Sequence, residues 1–200
     1  MCKIIVMANQ KGGVAKTSST RNLAYSLAEL GKKVLAVDFD PQTNLTISFG
    51  VAPAALQETA ASLMMKLVMD EALPEKESCI LNIGKVDLLP SKKTLTVAEV
   101  NLLIERKDDC LAKLLAPLRA DYDYILVDTG PSLGSLTINA FTAADEIIIP
   151  VDPELFALVG LKELTETISK IKQNLNPKVE IIGILFTKCS KRTTLYRQTS

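Results

Sequence analysis

Lys3-Ile4-Ile5-Val6-Met7-Ala8, followed directly by Asn9-Gln10-Lys11-Gly12-Gly13-Val14-Ala15-Lys16-Thr17-Ser18, decides the fold. The first part is a short apolar run with β-branched residues, the mark of a buried strand. The second part holds the only adjacent glycine pair in the chain, Gly12-Gly13. Glycines let a turn aim successive backbone N–H groups at one anion. Residues 16–30 carry Leu23, Leu27 and Leu30 at helical spacing and end at Gly31, so a helix begins where the turn ends. Its positive N-terminus adds to the anion site. In such a strand–turn–helix, Lys16 reaches the β- and γ-phosphates of a nucleotide, and Thr17 offers a hydroxyl to Mg²⁺. The strict G-x-x-x-x-G-K-[ST] pattern fails, because Gln10 and Ala15 stand where it has glycine.

Similar runs recur outward from this segment. Lys33–Asp38, Tyr124–Asp128, Glu146–Pro150 and Val179–Phe186 read as buried strands, with Cys79–Ile83 and Val86–Leu89 as weaker ones. Helical patterns lie between them. Leu161, Leu164, Ile168, Ile171 and Leu175 form one apolar stripe, stopped by Pro177. Leu111, Leu114, Leu115 and Leu118 form another over 109–119, and the capping-box spacing of Thr96 and Glu99 predicts a helix start near 97. Strands alternating with helices predict an α/β domain with a mostly parallel sheet. Ligands in that architecture sit beyond the carboxyl ends of the strands.

The residues at those ends are acidic. Asp128 closes Ile125-Leu126-Val127, Asp38 closes Val34-Leu35-Ala36-Val37, and Asp40 lies two residues on. In an extended segment a spacing of two puts Asp38 and Asp40 on the same side. One acid at a strand end is more simply a strand terminator. Three acids beside a lysine loop make a Mg²⁺–nucleotide site, in which carboxylates usually act through water.

Composition removes other chemistries. The 200 residues hold 23 basic and 23 acidic side chains, so the average is not that of a strongly basic nucleic-acid binder. Histidine is absent, which excludes His acid/base catalysis, Ser-His triads and His metal sites. Tryptophan is absent and aromatics are 4%, which argues against stacking platforms for single strands. Cys2, Cys79, Cys110 and Cys189 form no C-x-x-C pair, so neither a zinc or iron–sulfur site nor a disulfide framework is expected. Reduced thiols in the cytosol are the expectation. Ile4–Ala8 is too short for a signal peptide, and no run approaches the ~18 apolar residues of a membrane span. The zero charge is unevenly spread. Residues 1–160 carry 15 basic and 20 acidic side chains, and residues 161–200 carry 8 and 3.

On these motifs the sequence resembles the ParA/Soj branch of the deviant Walker-A ATPases, the ParA/MinD superfamily. Lys11–Ser18 is similar to its K-G-G-x-x-K-[ST] loop, which replaces the first glycine and adds a lysine. Asp38-x-Asp40-Pro41-Gln42, with Asn44 beyond, is similar to its D-x-D-P-Q-x-N. Tyr124–Leu133 resembles its Walker B and switch II. The similarity continues through Ile149-Pro150-Val151, Phe156-Ala157-Leu158, Gly160-Leu161, Leu185-Phe186-Thr187 and Arg192-Thr193, so it covers nearly the whole chain.

The resemblance implies a three-layer P-loop NTPase fold, a mostly parallel central sheet flanked by helices, in one domain over 1–200. It implies an Mg²⁺-dependent ATPase using ATP/ADP. Lys11, Gly12, Gly13, Val14, Ala15, Lys16, Thr17 and Ser18 match the phosphate loop. Within it, Lys11 matches the signature lysine that reaches across an ATP-sandwich homodimer, and Lys16 the in-cis phosphate lysine. Thr17, Asp38 and Asp128 match the Mg²⁺ site, the acids acting through water. Asp40 matches the residue that positions or activates the hydrolytic water, and Arg192 a basic residue for non-specific DNA binding. The implied function is ATP-driven partitioning of a plasmid or chromosome. A ParB-like centromere-binding protein would stimulate slow hydrolysis. The implied location is the cytoplasm, on the nucleoid, without a membrane.

Departures and alternatives accompany this reading. Ala15 replaces a common glycine, Asp152 stands at a usual glutamine, and Gly130 replaces a common proline and is expected to loosen switch II. Family members usually continue with another strand and terminal helices, which this chain is expected to lack. No domain is expected ahead of the first strand. A MinD-like membrane cycler needs a terminal amphipathic helix, and Asp38-x-Asp40-Pro41-Gln42 favours ParA instead. A nitrogenase-reductase-like protein is disfavoured, since no cysteine lies near Gly130–Gly134. A metabolic ATP-dependent ligase stays open, because fold alone does not decide function.

Overall fold

The computed structural model describes residues 1–153 and 157–188. Its strands are β1 (Lys3–Met7), β2 (Val34–Phe39), β3 (Leu81–Ile83), β4 (Val86–Leu89), β5 (Tyr124–Thr129), β6 (Glu146–Val151) and β7 (Glu180–Phe186). They form one sheet in the order β3-β4-β2-β5-β1-β6-β7. Every neighbouring pair is parallel except β3 with β4. The three strands whose ends carry the candidate motifs are therefore adjacent at the centre. Register aligns Met7 with Asp128 on one side and Asp38 with Asp128 on the other.

The helices are α1 (Lys16–Glu29), α2 (Asn44–Ser48), α3 (Ala60–Val68), α4 (Lys76–Cys79), α5 (Leu95–Ile104), α6 (Cys110–Leu115), α7 (Ser135–Ala143) and α8 (Ala157–Asn174). Central strands are buried on both faces, so their side chains feed two cores by strict alternation. Ile5, Ala36 and Leu126 pack with Ala24 and Ala28 of α1 and Leu45 of α2. Ile4, Val6, Val37 and Val127 face the other way, toward Leu63 of α3, Leu102 of α5, Leu111 of α6, Phe141 of α7 and Leu164 of α8. Each large side chain so buried contributes about 1.5–3 kcal/mol. The result is the expected three-layer P-loop architecture.

Three local expectations need correction. α5 begins at Leu95, two residues before the expected start, because Leu95 N already donates to Lys92 O (2.9 Å). Thr96 and Glu99 thus lie inside the helix and form no capping box. The reciprocal pairing occurs instead before α3, where Thr59 N donates to Ser62 Oγ (2.8 Å). The 109–119 stripe divides, since Pro117 lacks the N–H that would continue the helix; α6 ends at Leu115 and a 3₁₀ turn covers Pro117–Ala120. Cys79 ends α4 rather than opening a strand, and β3 starts at Leu81.

Candidate active site

The loop between β1 and α1 curls over its own lysine. Gly13 (φ 73°) and Ala15 (φ 62°) are both left-handed, which turns the backbone back on itself. Lys16 is buried, and its Nζ donates to Asn9 O (2.9 Å) and Lys11 O (3.2 Å). Burial lowers its pKa, while Asp128 and Asp40 act in the opposite direction. Asn9 braces the loop: its Nδ2 donates to Pro150 O (2.7 Å), and its Oδ1 accepts from Lys11 N (2.9 Å). Thr187 Oγ1 donates to Val14 O (3.1 Å), tying the loop to the end of β7. Lys11, Gly12 and Gly13 are exposed. The first turn of α1 carries no acid, so its positive end is not neutralised from within the helix.

The acids gather beside this loop. Thr17 Oγ1 donates to Asp128 Oδ2 (2.6 Å), and Thr20 Oγ1 approaches Asp128 Oδ1 (3.4 Å). Asp38 Oδ2 accepts from Thr46 N (2.7 Å) and Thr46 Oγ1 (2.6 Å), and its Oδ1 accepts from Asp40 N (3.2 Å). Asp40 Oδ1 accepts from Gln42 N (2.9 Å). Asp38 and Asp128 are fully buried, and Asp40 nearly so. Burial pushes Asp128 up to about 7 and Asp38 up to about 6, with the neighbouring acids adding to the effect and the hydroxyl donors opposing it. A cation placed among them would hold both ionised.

These residues fit Mg²⁺. The donors are hard oxygens, and Thr17 gives its proton to Asp128, which leaves its oxygen lone pairs for a cation. Among the described residues no group of three His, Cys, Asp or Glu side chains makes a metal cage. Mg²⁺ usually shares its coordination between protein, phosphates and water, so one hydroxyl with carboxylates acting through water would suffice.

The structure thus brings Lys16, Thr17, Asp38, Asp40 and Asp128 to one edge of the sheet, with Lys11 on the exposed turn beside them. Arg192, like Lys191 and Arg197, lies outside the described residues. Lys188 sits 3.5 Å from Asp152. Gly130 lies against Asp40: a Cβ there would be 3.2 Å from Asp40 Oδ1 and 3.4 Å from its Cγ, a tight contact to which Asp40 would have to yield by a few tenths of an ångström. Asn9, Thr20, Thr46 and Ser91 were not anticipated. Thr20 had a usable signal, since it follows Thr17 by three residues on one helix and shares its face.

Comparison with known proteins agrees with this geometry. The AAA domain family matches residues 2–181. The sporulation initiation inhibitor protein Soj of Bacillus subtilis is 38% identical over 196 residues, covering 98% of this chain and 76% of Soj. An uncharacterized protein of Mycobacterium tuberculosis is 41% identical over 199 residues; 98% of this chain is covered, and the chain spans 61% of that relative's length. Cobyrinic acid a,c-diamide synthase from Mycobacterium smegmatis, solved with bound ADP and magnesium, superposes with a TM-score of 0.91 at 36% identity, covering 99% of this chain and 79% of that one. A plasmid partition protein from Borrelia burgdorferi gives 0.81 at 31% identity, covering 98% and 82%. A glycine-turn lysine loop facing three strand-end acids defines a P-loop nucleotide site. The chain belongs to the ParA/Soj family of P-loop ATPases.

Proposed function

We propose that this chain is an Mg²⁺-dependent ATPase that acts as a dimerisation switch in the partitioning of a plasmid or chromosome. One observation carries the reading: a buried lysine, a threonine hydroxyl and three carboxylates converge beside a glycine turn at the ends of β1, β2 and β5. The loop N–H groups and Lys16 would bind the phosphates of ATP. Thr17 would hold Mg²⁺, with Asp38 and Asp128 acting through water. The bound ion supplies charge neutralisation. Asp40 would orient the attacking water for phosphoryl transfer, which needs positioning and charge stabilisation rather than a covalent intermediate.

Lys11 would reach the nucleotide of a second copy, so the homodimer requires ATP. The dimer would bind DNA through phosphates without reading bases, with Arg192 among its contacts. A ParB-like partner would stimulate hydrolysis and release it in the cytoplasm, on the nucleoid. The likeness to Soj and to the Borrelia partition protein supports this reading. The test is sedimentation and DNA binding with ATP and with ADP. ATP should give a dimer that binds unrelated sequences equally and weakens with salt, and Arg192→Ala should weaken DNA binding while ATP binding survives. No ATP binding in Mg²⁺ would reject the reading.

The likeness to cobyrinic acid a,c-diamide synthase favours a second reading, an ATP-dependent ligase. A monomer whose ADP release depends on a small-molecule substrate would support it instead.

A further inference from the structure

We propose that Thr46 is a positioning residue for hydrolysis, one that locks the orientation of the Asp38 carboxylate. The proposal rests on the ATPase reading and assigns a residue that the motifs left without a role. Thr46 lies in α2, is fully buried, and grips a single carboxylate oxygen, Asp38 Oδ2, with both its backbone N–H (2.7 Å) and its hydroxyl (2.6 Å). Its hydroxyl is itself oriented. Ser91 N, just after β4, donates to Thr46 Oγ1 (2.9 Å) and occupies a lone pair there. An ionised carboxylate has no proton to give, so the Thr46 proton points to Asp38. Among the described residues, the other oxygen, Oδ1, takes only the longer 3.2 Å bond from Asp40 N. Thr46 therefore settles which oxygen of Asp38 is tied tightly to the protein and which, held by one longer bond, has more capacity for water.

The position of that oxygen matters because Asp38 stands opposite Asp128 in register. A carboxylate free to rotate about its bond to Cβ would misplace a water shared with the cation site. Removing the hydroxyl leaves Asp38 Oδ2 with one of its two donors, Thr46 N, and takes the acceptor from the buried Ser91 N–H. Backbone contacts alone do not replace it.

The test compares Thr46→Val, nearly isosteric but without the hydroxyl, with Thr46→Ser, which keeps it. Two readings are taken on folded protein: hydrolysis at saturating ATP over an Mg²⁺ series, and Mn²⁺ binding in the presence of ADP, which needs no turnover. Thr46→Val should lower kcat about tenfold and weaken Mn²⁺ binding several-fold, and Thr46→Ser should stay within about twofold of wild type in both. A purely structural role would lower thermal stability and leave both readings unchanged, and that result would overturn the proposal. If Thr46→Val does not fold, Thr46→Ala carries the same expectation. Failure of both to fold while Thr46→Ser folds would assign the hydroxyl to folding and overturn the positioning role. Wild-type protein without hydrolysis would refute the ATPase reading itself, which no variant is needed to see.

Discussion

Thr17 and Asp128 stand 111 residues apart in sequence and are joined by a 2.6 Å hydrogen bond from hydroxyl to carboxylate. It couples the first turn of α1 to the end of β5, where phosphate and cation would meet on the proposed reading. Thr17→Ala should weaken Mg²⁺-dependent nucleotide binding roughly 10- to 100-fold, the value of a hydrogen bond to a charged group. Thr17→Ser should retain most of it. Calorimetric titration with ADP, with and without Mg²⁺, reads both.

Asp40 is held by Gln42 N and lies against Gly130, and on the proposed reading it orients the attacking water rather than holding nucleotide or cation. Its loss should therefore affect turnover more than binding. Asp40→Ala is expected to slow hydrolysis by about 10²–10⁴-fold, the usual range for a group that handles a proton or orients water. ATP affinity should change little, which single-turnover kinetics and equilibrium binding can separate.

Ala15 occupies a left-handed conformation at φ 62° that disfavours a side chain. Ala15→Gly should stabilise the fold by roughly 0.5–1 kcal/mol, the strain relieved less the greater freedom of the unfolded chain. A urea midpoint that rises without a change in slope would show it.

Without Mg²⁺, the buried acids make stability depend on pH in an unusual direction. Asp128 is raised to about 7 and Asp38 to about 6, above the unfolded value near 4. A carboxyl with a raised folded pKa contributes stability that is fully present below the unfolded value and is lost as pH rises through the folded one. Metal-free protein should accordingly lose thermal stability between about pH 4 and about pH 7. Asp128→Asn should flatten that slope while removing the stabilisation that Mg²⁺ and ADP provide together. Melting curves across that range, with and without the ligands, check both halves.

Much of this was legible in the chain, and the limits are physical. Central strands such as Val34–Phe39 are buried on both faces, so they appear as continuous apolar runs, and Asp38 and Asp128 stand out where those runs stop. The loop was legible because Gly12-Gly13 and Lys16-Thr17 are local. α5 starts two residues ahead of the Thr96–Glu99 capping-box spacing, and its pattern cannot correct that boundary because it is apolar on both sides: Leu95, Ala98 and Leu102 are buried while Val97, Val100, Leu103 and Ile104 are exposed. The clamp on Asp38 was hidden for another reason. Thr46 meets Asp38 through α2, and Ser91 comes from 45 residues further along, distances at which spacing in sequence carries no geometric information.

Lys16, with the glycine turn and three strand-end acids, is proposed to bind and hydrolyse ATP. The most direct measurement is phosphate release in Mg²⁺ by wild type and Lys16→Ala, with ATP binding measured on the same samples. Wild type should turn over slowly and Lys16→Ala should show nothing above background, with its ATP affinity also reduced. Hydrolysis by Lys16→Ala at the wild-type rate would contradict that role for Lys16.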